Sequence, residues 1–166
     1  MDVTQETLEA LAQDLGAALM QKGWMLACAE SCTGGWAAQA CTAVAGSSAW
    51  FERGFVTYSN AAKQEMLGVR GETLDAHGAV SEATAREMAL GALAHSAAQA
   101  AFAITGIAGP TGGTAEKPVG TVWFAWAAGQ GCRVEKRFFS GDRRAIRAQA
   151  AAHVLSTMRE IIRATF

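Results

Sequence analysis

The stretch from Trp24 to Ala43 constrains the fold of this chain more than any other. An apolar run of strand length, 24–30, ends in the polar turn Ser31-Cys-Thr-Gly-Gly35. An Ala-rich segment with helical character, 34–43, follows. Strand, tight turn and helix in that order belong to an α/β layered domain. Such a turn directs the unpaired N–H groups of a helix's first turn into a crevice at the carboxyl end of the strand. The Ser31 hydroxyl there either caps the helix or faces a ligand.

The remaining chain repeats this alternation. Leu8, Leu11, Leu15, Ala18 and Leu19 recur at helical spacing over 4–21, and Gly23 stops that helix. Residues 50–58 alternate as a second strand. Ser59-Asn60 caps a short helix over 61–67 with Lys63 in its first turn, and 71–77 reads as a helical turn. Ser81 caps a helix through Ala94. The all-apolar run Ala100-Ala-Phe-Ala-Ile104 reads as a central strand buried on both faces. It empties into Thr105–Pro118, which holds four glycines and both prolines and is too long for an idle connection. Residues 119–128 and 132–139 flank Gly129-Gln-Gly131 as a hairpin, and a last helix runs from Gly141-Asp142 to about Ala164. The pattern predicts a three-layer α/β/α sandwich with a mixed sheet, in one domain over 1–166.

Composition narrows the function classes. A net charge of −1 without a basic block removes the electrostatic footprint of a nucleic-acid binder. No apolar run reaches membrane-spanning length, and the N-terminus lacks the pattern of a signal peptide, so a cytoplasmic location is expected. Cys28, Cys32, Cys41 and Cys132 form no C-x-x-C pair, and His77, His95 and His153 are scattered, so no metal set is expected.

Three polar turns leave strand ends, at 31–35, 58–63 and 105–113, and in an open α/β sheet such turns converge on one crevice. They carry a hydroxyl, an amine, a phenol and backbone donors but no histidine, which argues against a Ser-His-Asp set. Residues 29–33 lack the glycines of a G-x-S-x-G elbow, and 109–117 lack Walker spacing. A Ser31–Lys63 pair remains. Its amine serves as base only when neutral, which requires burial or a neighbouring positive end of a helix to depress its pKa. Tyr58 stands where its phenol could orient that amine. Cys32, beside a helix N-terminus, competes with Ser31 as nucleophile.

Ala29-Glu-Ser-Cys-Thr-Gly-Gly35, Gly46-Ser-Ser48, Val56-Thr-Tyr-Ser-Asn60 with Lys63, Gly78-Ala-Val-Ser81, and Thr105-Gly-Ile-Ala-Gly-Pro110 with Lys117-Pro-Val-Gly-Thr-Val122 resemble, in order, the CinA C-terminal-domain family. The resemblance implies hydrolysis of the carboxamide of nicotinamide mononucleotide, with no metal or other cofactor and a homodimer or higher homo-oligomer. It implies Ser31 as nucleophile, Lys63 as base and Tyr58 in support. Backbone N–H groups at Thr33-Gly34 or Thr105-Gly106 are the expected oxyanion donors. Ser48 and Asn60 are further candidate substrate contacts. For the 5′-phosphate the candidates are the 106–113 loop, including Gly109, and Arg143 or Arg144. The alternative is a nucleotide-binding regulatory or scaffold domain without turnover.

Overall fold

The computed structural model describes residues 2–165. The elements, in chain order, are α1 (Gln5–Lys22), β1 (Leu26–Glu30), α2 (Trp36–Thr42), β2 (Phe51–Val56), α3 (Asn60–Leu67), α4 (Gly71–His77), α5 (Glu82–Ala94), β3 (Ala100–Gly106), β4 (Thr121–Ala128), β5 (Gly131–Phe138) and α6 (Arg143–Ala164). One sheet has the order β2-β1-β3-β4-β5. β1 pairs parallel with both β2 and β3, while β4 and β5 continue the sheet antiparallel, giving the expected mixed sheet.

Period-two alternation in the central strands sorts large from small residues. Cys28, Phe102, Ile104, Phe124 and Trp126 point to one face, where they pack with Leu8, Leu15, Trp50, Val154 and Met158 from the α1, α2 and α6 side. Ala27, Ala29, Ala101, Ala103, Ala125 and Ala127 point to the other, under Ala85, Met88, Ala89 and Ala92 of α5. The alanine face lets α5 lie close to the sheet. The bulky face fills the gap beneath the two long helices, which is how an all-apolar strand such as β3 comes to be buried on both sides. α1 in turn approaches Trp50 so closely that a Cβ at Gly16 would stand 2.4 Å from its ring.

Element ends depart from the sequence reading for local reasons. α2 begins at Trp36 rather than at 34, because Gly34 and Gly35 adopt φ of 61° and 100°, in the left-handed region. β1 begins at Leu26 because Gly23 closes α1 in a left-handed cap and the Trp24 N–H still bonds back to the Leu19 carbonyl. β2 ends at Val56, two residues short of the reading, and this shortening matters for the site below. The helical turn at 71–77 is a short helix. Ser59, Ser81 and Asp142 cap α3, α5 and α6 through side-chain oxygens. Among the described residues no helix is long and apolar enough to cross a membrane.

The connection from β1 to β2 runs over the α1/α6 face through α2, and the one from β2 to β3 returns over the opposite face through α3–α5. The carboxyl ends of β1 and β3 therefore open at a topological switch point, where ligands of open α/β sheets bind.

Candidate active site

A pocket of about 230 Å³ lies at this switch point. Its lining comes from the turn after β1 (Ser31, Cys32), the end of β2 and the start of α3 (Tyr58, Lys63), the α4–α5 loop (Ala79, Val80), the end of β3 (Thr105, Gly106, Ala108) and α6 (Arg143). Among the described residues two basic side chains face it, Lys63 and Arg143, and no carboxylate does.

Lys63 is its most constrained group. The side chain is 1% exposed, and its Nζ lies 2.9 Å from Ser31 Oγ, 2.8 Å from the Thr57 carbonyl and 3.1 Å from the Tyr58 carbonyl. Those carbonyls are available because β2 has already ended at Val56. Burial pushes the Lys63 amine down to about 8, although the neighbouring Cys32 pulls it back upward. A neutral amine has two N–H donors and one lone pair. The two carbonyls satisfy the donors, which leaves the lone pair for the Ser31 hydroxyl. Ser31, 7% exposed, is also held at its own N–H by the Ile104 carbonyl, 3.0 Å away on β3.

Tyr58 supports this amine, but through its main chain. Its phenol lies 3.4 Å from Arg143 Nη2 rather than at Lys63, and the residue is 64% exposed at the pocket mouth, so the expected orienting role of the phenol gives way to that of the carbonyl. Arg143 also donates to the Gly109 carbonyl at 2.8 Å, which ties the mouth to the long loop.

Glu30 was not anticipated from sequence. It is 1% exposed, and its carboxylate accepts from Thr33 Oγ1 at 2.6 Å and from the backbone N–H groups of Ala37 and Ala38 at 3.0 and 2.8 Å. Burial raises its pKa, while these donors act the other way. The Ala37 and Ala38 N–H groups of the first turn of α2, expected to open onto the crevice, are therefore taken by a carboxyl group of the chain itself. The available signal was an acidic residue directly before a turn–helix junction.

The other candidates divide clearly. Thr105 and Gly106 line the pocket, with the Thr105 hydroxyl donating to the Ala79 carbonyl at 2.8 Å. Thr33 and Gly34 do not line it. The Thr33 hydroxyl is committed to Glu30, and the Gly34 N–H donates to the Ser31 carbonyl at 3.1 Å, which removes Gly34 as an oxyanion donor. Ser48 is exposed in the 3₁₀ turn before β2, at the end of the sheet away from the pocket, because β2 runs parallel to β1. Asn60 is exposed in the first turn of α3. Gly109 reaches the site only through Arg143, and Arg144 packs over Trp36 instead. Burial, with the Glu30 charge adding to it, pushes the Cys32 thiol up to about 12, which leaves it protonated and a poor rival to Ser31.

The profile of the CinA C-terminal domain matches residues 8–162. The chain is 56% identical to a nicotinamide-nucleotide amidohydrolase PncC of Enterobacter agglomerans, over 97% of this chain and 99% of that protein. It is 57% identical to the protein of the same name from Escherichia coli K12, over 94% and 95%. Its structure superposes on the crystal structure of the competence/damage inducible protein CihA from Agrobacterium tumefaciens with a TM-score of 0.88, at 48% identity over 92% and 93% of the two chains. By a profile match over most of its length, and by near-full-length relatives above half identity, this chain belongs to the CinA C-terminal domain family.

Proposed function

We propose that the protein hydrolyses the carboxamide of nicotinamide mononucleotide to nicotinate mononucleotide and ammonia, through Ser31 and Lys63. The observation that carries this reading is the buried amine at 2.9 Å from a hydroxyl, with its other contacts made by two carbonyls. The names of the near-full-length relatives support the substrate.

In this mechanism Ser31 Oγ attacks the amide carbon while its proton passes to neutral Lys63 Nζ. The tetrahedral intermediate collapses as Lys63 returns that proton to the departing nitrogen, and ammonia leaves an acyl-serine. Water, deprotonated by the same amine, then attacks the ester and releases nicotinate mononucleotide, while the amine returns the proton to Ser31 Oγ. The pocket is smaller than sites that enclose a whole drug-sized ligand, and suits the pyridine ring and its amide. Ribose and phosphate then lie toward the mouth. Arg143, the cation there, is our candidate for the 5′-phosphate.

Ammonia release from purified protein given nicotinamide mononucleotide, in the presence of a chelator, tests this reading. Turnover is expected. Binding without ammonia would favour a nucleotide-binding module, and loss of turnover to the chelator would point to a metal. Turnover of free nicotinamide at equal efficiency would identify a general small-amide hydrolase. We also propose that the chain self-associates, supported by the exposed apolar groups Val56 and Phe138, and light scattering in solution checks it.

A further inference from the structure

We propose that Arg147 is a positioning residue for the nucleophile turn: it holds the Cys32 and Thr33 carbonyls from α6, and with them the turn on which the Ser31 hydroxyl and the Cys32 N–H face the reacting carbonyl. The inference rests on the serine-amidase reading above. Arg147 projects from α6, more than a hundred residues from the turn. Its Nε donates to the Cys32 carbonyl at 3.0 Å and its Nη2 to the Thr33 carbonyl at 3.2 Å. The residue does not line the pocket, so it acts through the turn rather than on substrate.

Peptide planarity gives these bonds a consequence. The carbonyl of Cys32 and the N–H of Thr33 belong to one trans unit and point in opposite directions, so fixing the first toward α6 turns the second away from it. The preceding unit is fixed likewise, with the Ser31 carbonyl accepting from the Gly34 N–H, which turns the Cys32 N–H to the opposite side. Among the described residues the Cys32 N–H donates to no other residue and Cys32 lines the pocket, whereas Thr33 is fully buried and does not line it. The Cys32 N–H is the unspent donor beside the nucleophile, since the Trp36 N–H returns to the Thr33 carbonyl and those of Ala37 and Ala38 go to Glu30.

The guanidinium is itself held in plane. It lies over the Trp36 ring, 5.7 Å from its centroid, and the Trp36 indole N–H donates to Gln5 Oε1 at 2.9 Å. Gly34 makes room beneath it, because a Cβ there would stand 3.3 Å from Nη2. A flat fork with two parallel donors suits adjacent carbonyls. A lysine ammonium is a point charge and does not reproduce that geometry.

The test uses Arg147→Ala and Arg147→Lys in the full chain, with two readouts. One is steady-state ammonia release from nicotinamide mononucleotide. The other is the rate at which a fluorophosphonate labels Ser31, followed by intact mass. Arg147→Ala is expected to lower both kcat and the labelling rate about 100-fold with KM within about twofold, and millimolar guanidinium is expected to restore about tenfold. Arg147→Lys should recover no more than about a tenth of the unsubstituted rate. The proposal is overturned if Arg147→Ala keeps both rates within about threefold, or if its loss resists guanidinium and follows a lowered melting temperature instead. Absence of labelling at Ser31 in the unsubstituted protein would overturn it together with the nucleophile assignment. Arg147-dependent labelling without ammonia release would leave this inference standing and remove only the substrate reading.

Discussion

Lys63 Nζ stands 2.9 Å from Ser31 Oγ across thirty-two residues of chain, and the two are joined because β2 stops early enough to turn the Thr57 and Tyr58 carbonyls onto the amine. A hydrophobic replacement would leave those carbonyls and the hydroxyl without their shared partner. Removal of the amine is therefore expected to lower kcat by about 10³-fold or more, from loss of the base. Lys63→Arg is expected to be no better, since a guanidinium stays protonated at working pH. Ammonia release in single-turnover format separates this loss from a change in binding.

The depressed amine also sets a pH profile. Only neutral Lys63 can take the Ser31 proton, so kcat/KM should rise with one-proton dependence and level off above pH about 8. The stability sign follows from the same shift. The folded state binds the proton less tightly than the unfolded chain, so this group's penalty is greatest below pH about 8 and is relieved as pH rises toward the ordinary lysine range. Chemical denaturation of Lys63→Met beside the unsubstituted protein, at pH 7 and pH 9.5, should show the unsubstituted protein gaining stability relative to the variant at the higher pH. A flat rate profile across pH 6.5–9 would remove Lys63 from the base role.

Ser31 and Cys32 are adjacent, but only the first meets the amine. Ser31→Ala is expected to cut turnover by about 10⁴-fold or more, while Cys32→Ser leaves it within a few fold, because the raised thiol carries no thiolate at neutral pH. The opposite ranking in the ammonia assay would transfer the nucleophile's role to the thiol.

Arg143 faces the pocket mouth and Arg144 does not. Arg143→Ala is expected to raise KM for the mononucleotide about 10- to 100-fold, the scale of one charge-assisted hydrogen bond, while leaving any slow turnover of free nicotinamide unchanged. Equal losses on both substrates would mean that this arginine shapes the mouth through Gly109 and Tyr58 rather than binding phosphate.

Glu30 underlies the turn that carries Ser31. In Glu30→Gln one of the two oxygens becomes an NH₂ group and meets a donor, either the Ala38 N–H or the pair formed by the Thr33 hydroxyl and the Ala37 N–H. The expected cost is about 2–3 kcal/mol, read as a lower urea midpoint with an unchanged m-value. An unchanged midpoint would show that the carboxyl is already protonated in the folded protein.

The layered fold was legible in the spacing of apolar residues, because side-chain periods of 2 and 3.6 are set by local backbone geometry and need no knowledge of the partner surface. The same locality explains the caps at Ser59, Ser81 and Asp142, each a side chain bonding within its own turn. Element ends were less legible at 34–35, where only the left-handed φ of two glycines decides that the helix starts late.

Sequence by itself determined the strand–turn–helix units and the chemical types available at their ends: a hydroxyl, an amine and glycine-rich turns. Tertiary structure alone decided which of them meet. It brought Lys63 under Ser31, sent the Tyr58 phenol to Arg143, left Ser48 at the far end of the sheet and laid Arg147 across the turn from the last helix. The physical reason is range. Periodicity and capping act within a few residues, whereas burial, desolvation of an amine and the aim of a carbonyl depend on groups brought close only when distant strands and helices pack.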